Sequence, residues 1–183
     1  MIKYLILIIL LTNGMTEAAT YYTRSGIEVD KCASCWLIKK FVDRDAVFLI
    51  VPTDSILPKA IPFDLPEVEF SRKNGLTTYD AILQKYNLND PALLRIAGLV
   101  KDAEINIIGK KRMEETIGLE RIILGISELF QDDIICLQKS YIVFDALYAV
   151  FSKEMKKNNY NFKFQGIFFH GLSASCISLL YAL

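Results

Sequence analysis

Residues 22–43, YTRSGIEVDKCASCWLIKKFVD, hold the chain's one tryptophan, two of its four cysteines and its densest run of basic side chains. Thr23–Val29 reads as a short extended segment with a break at Gly26, and Ser34–Val42 as one amphipathic helix. On that helix Trp36, Leu37 and Phe41 fall about one turn apart, with Ile38 and Val42 beside them, which leaves Lys39 and Lys40 on the solvent side. Ser34 is a residue type that caps helix starts, and the unpaired first-turn amides would face whatever approaches from that end. Arg24, Lys31, Lys39 and Lys40 lie around this turn in sequence, so an oxyanion there would meet fixed positive charge and the helix dipole together. The plainer reading of the same residues is a solvated basic face on a core helix.

Working outward, Ala46–Val51 (AVFLIV) is a continuous apolar run closed by Pro52, read as a buried strand that pairs with the extended segment before the helix. Pro52, Pro58, Pro62 and Pro66 make residues 52–66 an irregular connection, Pro66–Phe70 alternates like an edge strand, and Asn74–Gly75 signals a turn. From Thr77 the periodicity becomes helical. Thr77 with Asp80 forms a capping-box pattern for a helix to about Tyr86, and Asn89–Asp90 before Pro91 starts a second, to Val100. Glu114–Phe130 reads as a longer helix carrying Ile117, Ile122, Leu124, Ile126 and Leu129. Asp132–Asp133 caps the next, which runs to about Lys156. The expected fold is α+β, a predominantly helical single domain with a small β-sheet in the N-terminal half.

The chain has 183 residues, 52% of them apolar, with 21 basic and 21 acidic side chains and no net formal charge. That is enough for one domain with a core, and the balanced charge argues against nucleic-acid binding by this chain alone. Cys32, Cys35, Cys136, Cys176 and the single His170 suit neither a disulfide scaffold nor a four-ligand zinc site, so no metal and no cofactor is expected. Residues 1–19 read as a secretory signal with cleavage near Ala18, which favours a periplasmic or exported protein. The alternative is translation from Met15, with an artefactual upstream extension and a cytoplasmic product. The domain is expected over 20–157, followed by a tail at 158–183 whose apolar part, Gly166–Leu183, reads as a terminal segment rather than a membrane anchor.

The opening block, followed by AVFLIVP (46–52), IPFDLPEVEFS (61–71), TTYDAIL (77–83), LNDPALLRIAGLVKDAE (88–104) and FDALYA (144–149), resembles the bacterial chromate-resistance family. That family includes the C-terminal domain of chromate-responsive regulators and free-standing exported chromate-resistance proteins, and the resemblance spans roughly Tyr22 to Val150. Its first block typically reads W-V-T-R, V-D-R and W-L-I-R-R-F. Thr23, Arg24, Val29, Asp30, Trp36, Leu37, Ile38 and Phe41 match it, whereas Lys31, Lys39 and Lys40 replace arginines and lose the bidentate fork. The chain departs from the family at Arg72 and Lys101, where many members carry histidine, and at Thr77, where many carry cysteine. Asp80, Asp102, Glu104 and Asp145 match acidic positions, and Trp36 and Tyr148 aromatic ones.

The resemblance implies a role in chromate resistance and a small oxyanion ligand, bound rather than turned over. The expected anion-binding residues are Arg24, Lys31, Ser34, Lys39 and Arg72. An alternative of a different class is a redox dithiol, Cys32-Ala-Ser-Cys35, with Cys35 in a helix's first turn and Lys31 lowering a thiol pKa. A third is an interaction module whose partner is a separate regulator or transporter. No phosphate loop, nucleophile elbow or hydrolase triad is present.

Overall fold

The computed structural model describes residues 18–106 and 108–171, with side chains to 157. The expected signal segment and most of the apolar tail lie outside the described residues. Strand β1 (Thr20–Arg24) is followed by helix α1 (Val29–Leu37), which widens into one π-helical turn (Ile38–Val42) before strand β2 (Val47–Val51). β2 runs parallel to β1, pairing Thr20 with Val47 through to Arg24 with Val51. A two-residue strand β3 (Ile61–Pro62) joins the other side of β1, also parallel, to give the order β2-β1-β3. β1 is therefore the central strand, and Tyr21, Tyr22 and Thr23 are all buried, as both faces of a covered parallel strand should be. Gly26, at φ 109°, makes the break that lets the chain leave β1 and enter α1.

Three local expectations are corrected. The tryptophan-bearing helix starts at Val29, not Ser34, with Glu28 extended at its cap and Asp30 as the acidic residue of its first turn. β2 is the edge of the sheet rather than a buried strand, with Val47 47% and Leu49 38% exposed. Pro66–Phe70 forms no strand. Glu67 turns at φ 60°, and an isolated bridge between Phe63 and Phe70 is all the pairing there. Asn74 and Gly75, at φ 53° and 73°, make the expected turn between Lys73 and Leu76.

Helices α2 (Thr78–Lys85), α3 (Pro91–Glu104), α4 (Glu115–Leu129) and α5 (Asp133–Gly171) complete the fold. The capping box is present: Asp80 N–H donates to Thr77 Oγ1 at 3.1 Å and Thr77 N–H to Asp80 Oδ2 at 3.0 Å. Asp90 accepts from the N–H groups of Ala92 and Leu93, and Asp132 from those of Ile134 and Ile135. α4 buries Thr116, Leu119 and Ile123, while Ile117, Ile122, Leu124 and Leu129 stay exposed. α5 is docked by polar contacts as well as packing. Trp36 Nε1–H donates to Asp145 at 2.9 Å, Tyr148 O–H donates to Asp90 at 3.0 Å, and Trp36 packs against the rings of Phe41, Phe144 and Tyr148. The π-helical turn, closed by Asp43 N–H on Ile38 O at 2.8 Å, brings Phe41 into that cluster.

Asp102, in the last turn of α3, organises the connection to α4. Its carboxylate accepts from Asn106 Nδ2, the N–H groups of Arg112 and Met113, and Thr116 Oγ1. Burial works against its charge, but these four donors hold the pKa down at about 2. Asp102→Ala would leave the buried Thr116 hydroxyl and two amides without their acceptor and is expected to cost about 3 kcal/mol, measured by urea denaturation. Wild-type stability contributed by this group is present above pH ~4 and is lost as pH falls through about 2, whereas the alanine variant lacks that acid limb.

Candidate functional site

A cleft of about 300 Å³ opens at the carboxyl ends of β1 and β3. Arg24, the last residue of β1, stands on one wall. Asp64, Leu65, Pro66 and Glu67, just past β3, form another, and Glu28, Ser71, Arg72 and Lys73 complete the lining. In the order β2-β1-β3, the chain crosses from one side of β1 to the other, so the cleft sits where that order reverses. This is the place where sheets of parallel strands leave a crevice for ligands.

Behind the cleft lies a cluster of charges that the fold has buried. Asp30, fully buried, accepts from the N–H groups of Thr78 and Tyr79 at 2.8 and 2.9 Å, so a side chain of α1 caps α2. Ser34 Oγ donates to the same carboxylate at 3.3 Å. Lys31, 1% exposed, donates its ammonium to Arg24 O at 2.9 Å and Gly26 O at 2.6 Å, with Asp64 3.6 Å away. Arg72 bridges Glu28 and Glu104 at 3.1 and 3.0 Å and lies 3.7 Å from Asp30. Burial pushes Asp30 up to about 6 despite its two amide donors, and also raises Asp64 and Glu104. For Arg72 burial opposes the charge, but Glu104, Asp30 and Glu28 outweigh it and raise the pKa. Among the described residues no group of three or more His, Cys, Asp or Glu is placed to hold a metal ion.

Of the residues expected to bind an anion, Arg24 and Arg72 line the cleft together. Lys31 and Ser34 sit beneath it, already engaged by protein groups. The start of α1 is occupied too, since Asp30 N–H donates to Glu104 Oε1 at 3.3 Å. Lys39 is at the far end of α1, donating to Arg44 O and lining a separate cleft with Trp36, Lys40, Arg44, Tyr141 and Asp145. Cys32 and Cys35 are both fully buried and unpaired, and burial pushes the first thiol up to about 12 and the second well above the usual range. With the helix starting at Val29, neither lies at its N-terminal amides, and the accessible thiolate a redox dithiol needs is not offered there. Sequence reading missed Lys73 and Asp64. Lys73 precedes a recognisable Asn-Gly turn, but nothing near Asp64 marks it as the partner of a buried lysine.

Architecture and cleft together describe a small α+β domain with a charge-lined crevice at the carboxyl edge of a parallel sheet. Residues 21–151 match the family described as "ChrB, C-terminal domain", and the chain belongs to that family, which makes it a chromate-resistance-related protein. It is 28% identical over 143 residues to a protein of Cupriavidus metallidurans named Protein ChrB. The match covers 77% of this chain and 43% of that relative, so this chain spans less than half of the relative's length. No solved structure matches.

Asp30 gives the site a measurable pH signature. An ordinary aspartate ionises near 3.8 and Asp30 in the fold at about 6, so between those values the folded chain holds more protons than the unfolded one. Stability therefore falls as pH rises through that window, by about 3 kcal/mol for this group. The unfolding free energy of the wild type minus that of Asp30→Asn should drop by about that amount from pH 4 to pH 7 in urea titrations. A difference that does not change with pH would show that the buried carboxyl is not held up.

Proposed function

We propose that this domain serves chromate resistance by binding chromate or a similar tetrahedral oxyanion in the cleft beside Arg24. The observation that carries the reading is the position of Arg24 at the carboxyl end of the central strand, in a crevice that it shares with Arg72 and Lys73. Arg72 is already neutralised by Glu28 and Glu104, and Asp64 by Lys31. Among the described residues Arg24 has no carboxylate within ion-pair distance, and neither has Lys73, whose ammonium reaches Val68 O at 3.5 Å. Glu67 remains as the lining carboxylate opposed to them. A dianion entering the cleft would take bidentate hydrogen bonds from the Arg24 fork and a point charge from Lys73.

The arrangement suits binding rather than reduction. The thiols of Cys32 and Cys35 are sealed inside α1, and Arg72 is a fixed cation unable to shuttle protons. Calorimetric titration of chromate and sulfate into the full chain tests this. Arg24→Ala should weaken binding at least ~10-fold, Arg24→Lys less, and Lys39→Ala not at all, since Lys39 lines a different cleft. The Cys32→Ser/Cys35→Ser variant should bind as the wild type does. Binding unchanged by Arg24→Ala and by Lys73→Ala would overturn the assignment of the cleft.

A further inference from the structure

Helix α5 carries a face that the domain does not use. Leu137, Phe144 and Phe151 point into the core, while Ile135, Ile142, Ala146 and Ala149 are exposed on one face at helical spacing, Ile142 at 71%, with exposed Gln138, Lys139 and Lys153 between and beyond them. Residues Asp133–Lys157 are long and apolar enough to pass for a membrane span by length and composition. A membrane does not fit the packing, because α5 is fastened to the body through Asp145 and Tyr148 and its other face fills the core. An uncovered apolar stripe on a packed helix is the mark of a protein contact.

We infer that this stripe is the seam of a two-fold dimer in which α5 of one copy lies antiparallel to α5 of a second. The stripe is self-complementary in that direction only. With Ile142 on the two-fold axis, spacing places Ile135 opposite Ala149 of the other copy, seven residues to either side of the centre, so each large side chain meets a small one. The charges on either side of Ile142 match too. Exposed Asp132 just precedes α5, and exposed Lys153 and Lys156 lie about six turns along it, so antiparallel pairing about Ile142 sets the carboxylate of one copy beside the ammonium groups of the other. Asp132 uses one oxygen, Oδ1, to cap α5, leaving Oδ2 for that contact. Among the described residues neither Lys153 nor Lys156 has an ion-pair partner within its own copy. Parallel pairing would set Asp132 beside Asp132 and Lys153 beside Lys153.

Sedimentation of the full chain tests the seam. The wild type should be a dimer at about 100 micromolar, and Ile142→Glu a monomer, with its dissociation constant raised at least ~30-fold and its circular dichroism unchanged. Lys153→Glu/Lys156→Glu should also weaken the dimer and reverse its response to salt, since the new carboxylates face Asp132 of the other copy. In a Cys176→Ser background, Ile142→Cys should oxidise to a covalent dimer across the axis, while Ile117→Cys, exposed on α4, should not. A monomeric wild type at that concentration, a dimer indifferent to Ile142→Glu, or a monomer that partitions into phosphatidylcholine and phosphatidylglycerol vesicles would each overturn the inference.

Discussion

The carboxylate of Asp30 holds the two halves of this domain together. It leaves α1 sideways and takes the first amides of α2, residues 48 and 49 positions later in the chain, so the helix that follows the central strand fixes the start of the first helix of the second half. A carboxylate buried this fully is costly unless its lone pairs are met, and here two amides and the Ser34 hydroxyl meet them with Arg72 close by. Its neighbour in sequence does the opposite job with the opposite charge. Lys31 reaches back to the carbonyls of Arg24 and Gly26 and fastens the end of β1 to the start of α1.

From these two adjacent residues the character of the cleft follows. Their charges and those of Asp64, Glu104 and Arg72 form a mutually neutralising layer below the surface. Arg24, whose backbone carbonyl is held by Lys31, lines the opening. Lys31 thus acts on the opening by positioning rather than by contact. The same layer shows why arginine is accommodated at position 72. One guanidinium nitrogen, Nη2, donates to Glu28 and Glu104 at once and lies 3.7 Å from Asp30, so a single cation offsets three carboxylates.

How much of this was legible depends on the range of the forces involved. Local signals read correctly: Thr77 with Asp80, Asp90 before Pro91 and Asp132 each cap the helix expected of them, because a cap is decided within four residues. The pairing of the two strands flanking α1 was legible from apolar runs, but the edge position of β2 was not, since β3 needs only two residues to take the far side of β1. Ser34 failed as a cap because the helix was already one turn under way. Asp30 sits in the first turn, and its carboxylate turns outward to α2 while the Ser34 hydroxyl turns back to it. A lysine in a basic run ordinarily reads as solvated, and Lys31 is buried by carbonyls and a carboxylate drawn from a proline-rich loop, a tertiary event with no local trace. The family was legible from block order, whereas of the residues expected to bind an anion only Arg24 and Arg72 share the cleft.

The central strand is also the first strand among the described residues, and this makes the N-terminal margin of the domain intolerant of trimming. Shortening a protein at an edge strand removes one ladder, but losing residues from Thr20 onward here would strip both neighbours of their partner at once. The margin is pinned just ahead of that point, where Ala19 N–H donates to Asp43 at 2.8 Å and Ala19 O accepts from Val47 N–H at 2.9 Å. A polypeptide whose first residue was Ala19 would bring a free ammonium against the Asp43 carboxylate, turning a neutral anchor into an ion pair without disturbing a single strand.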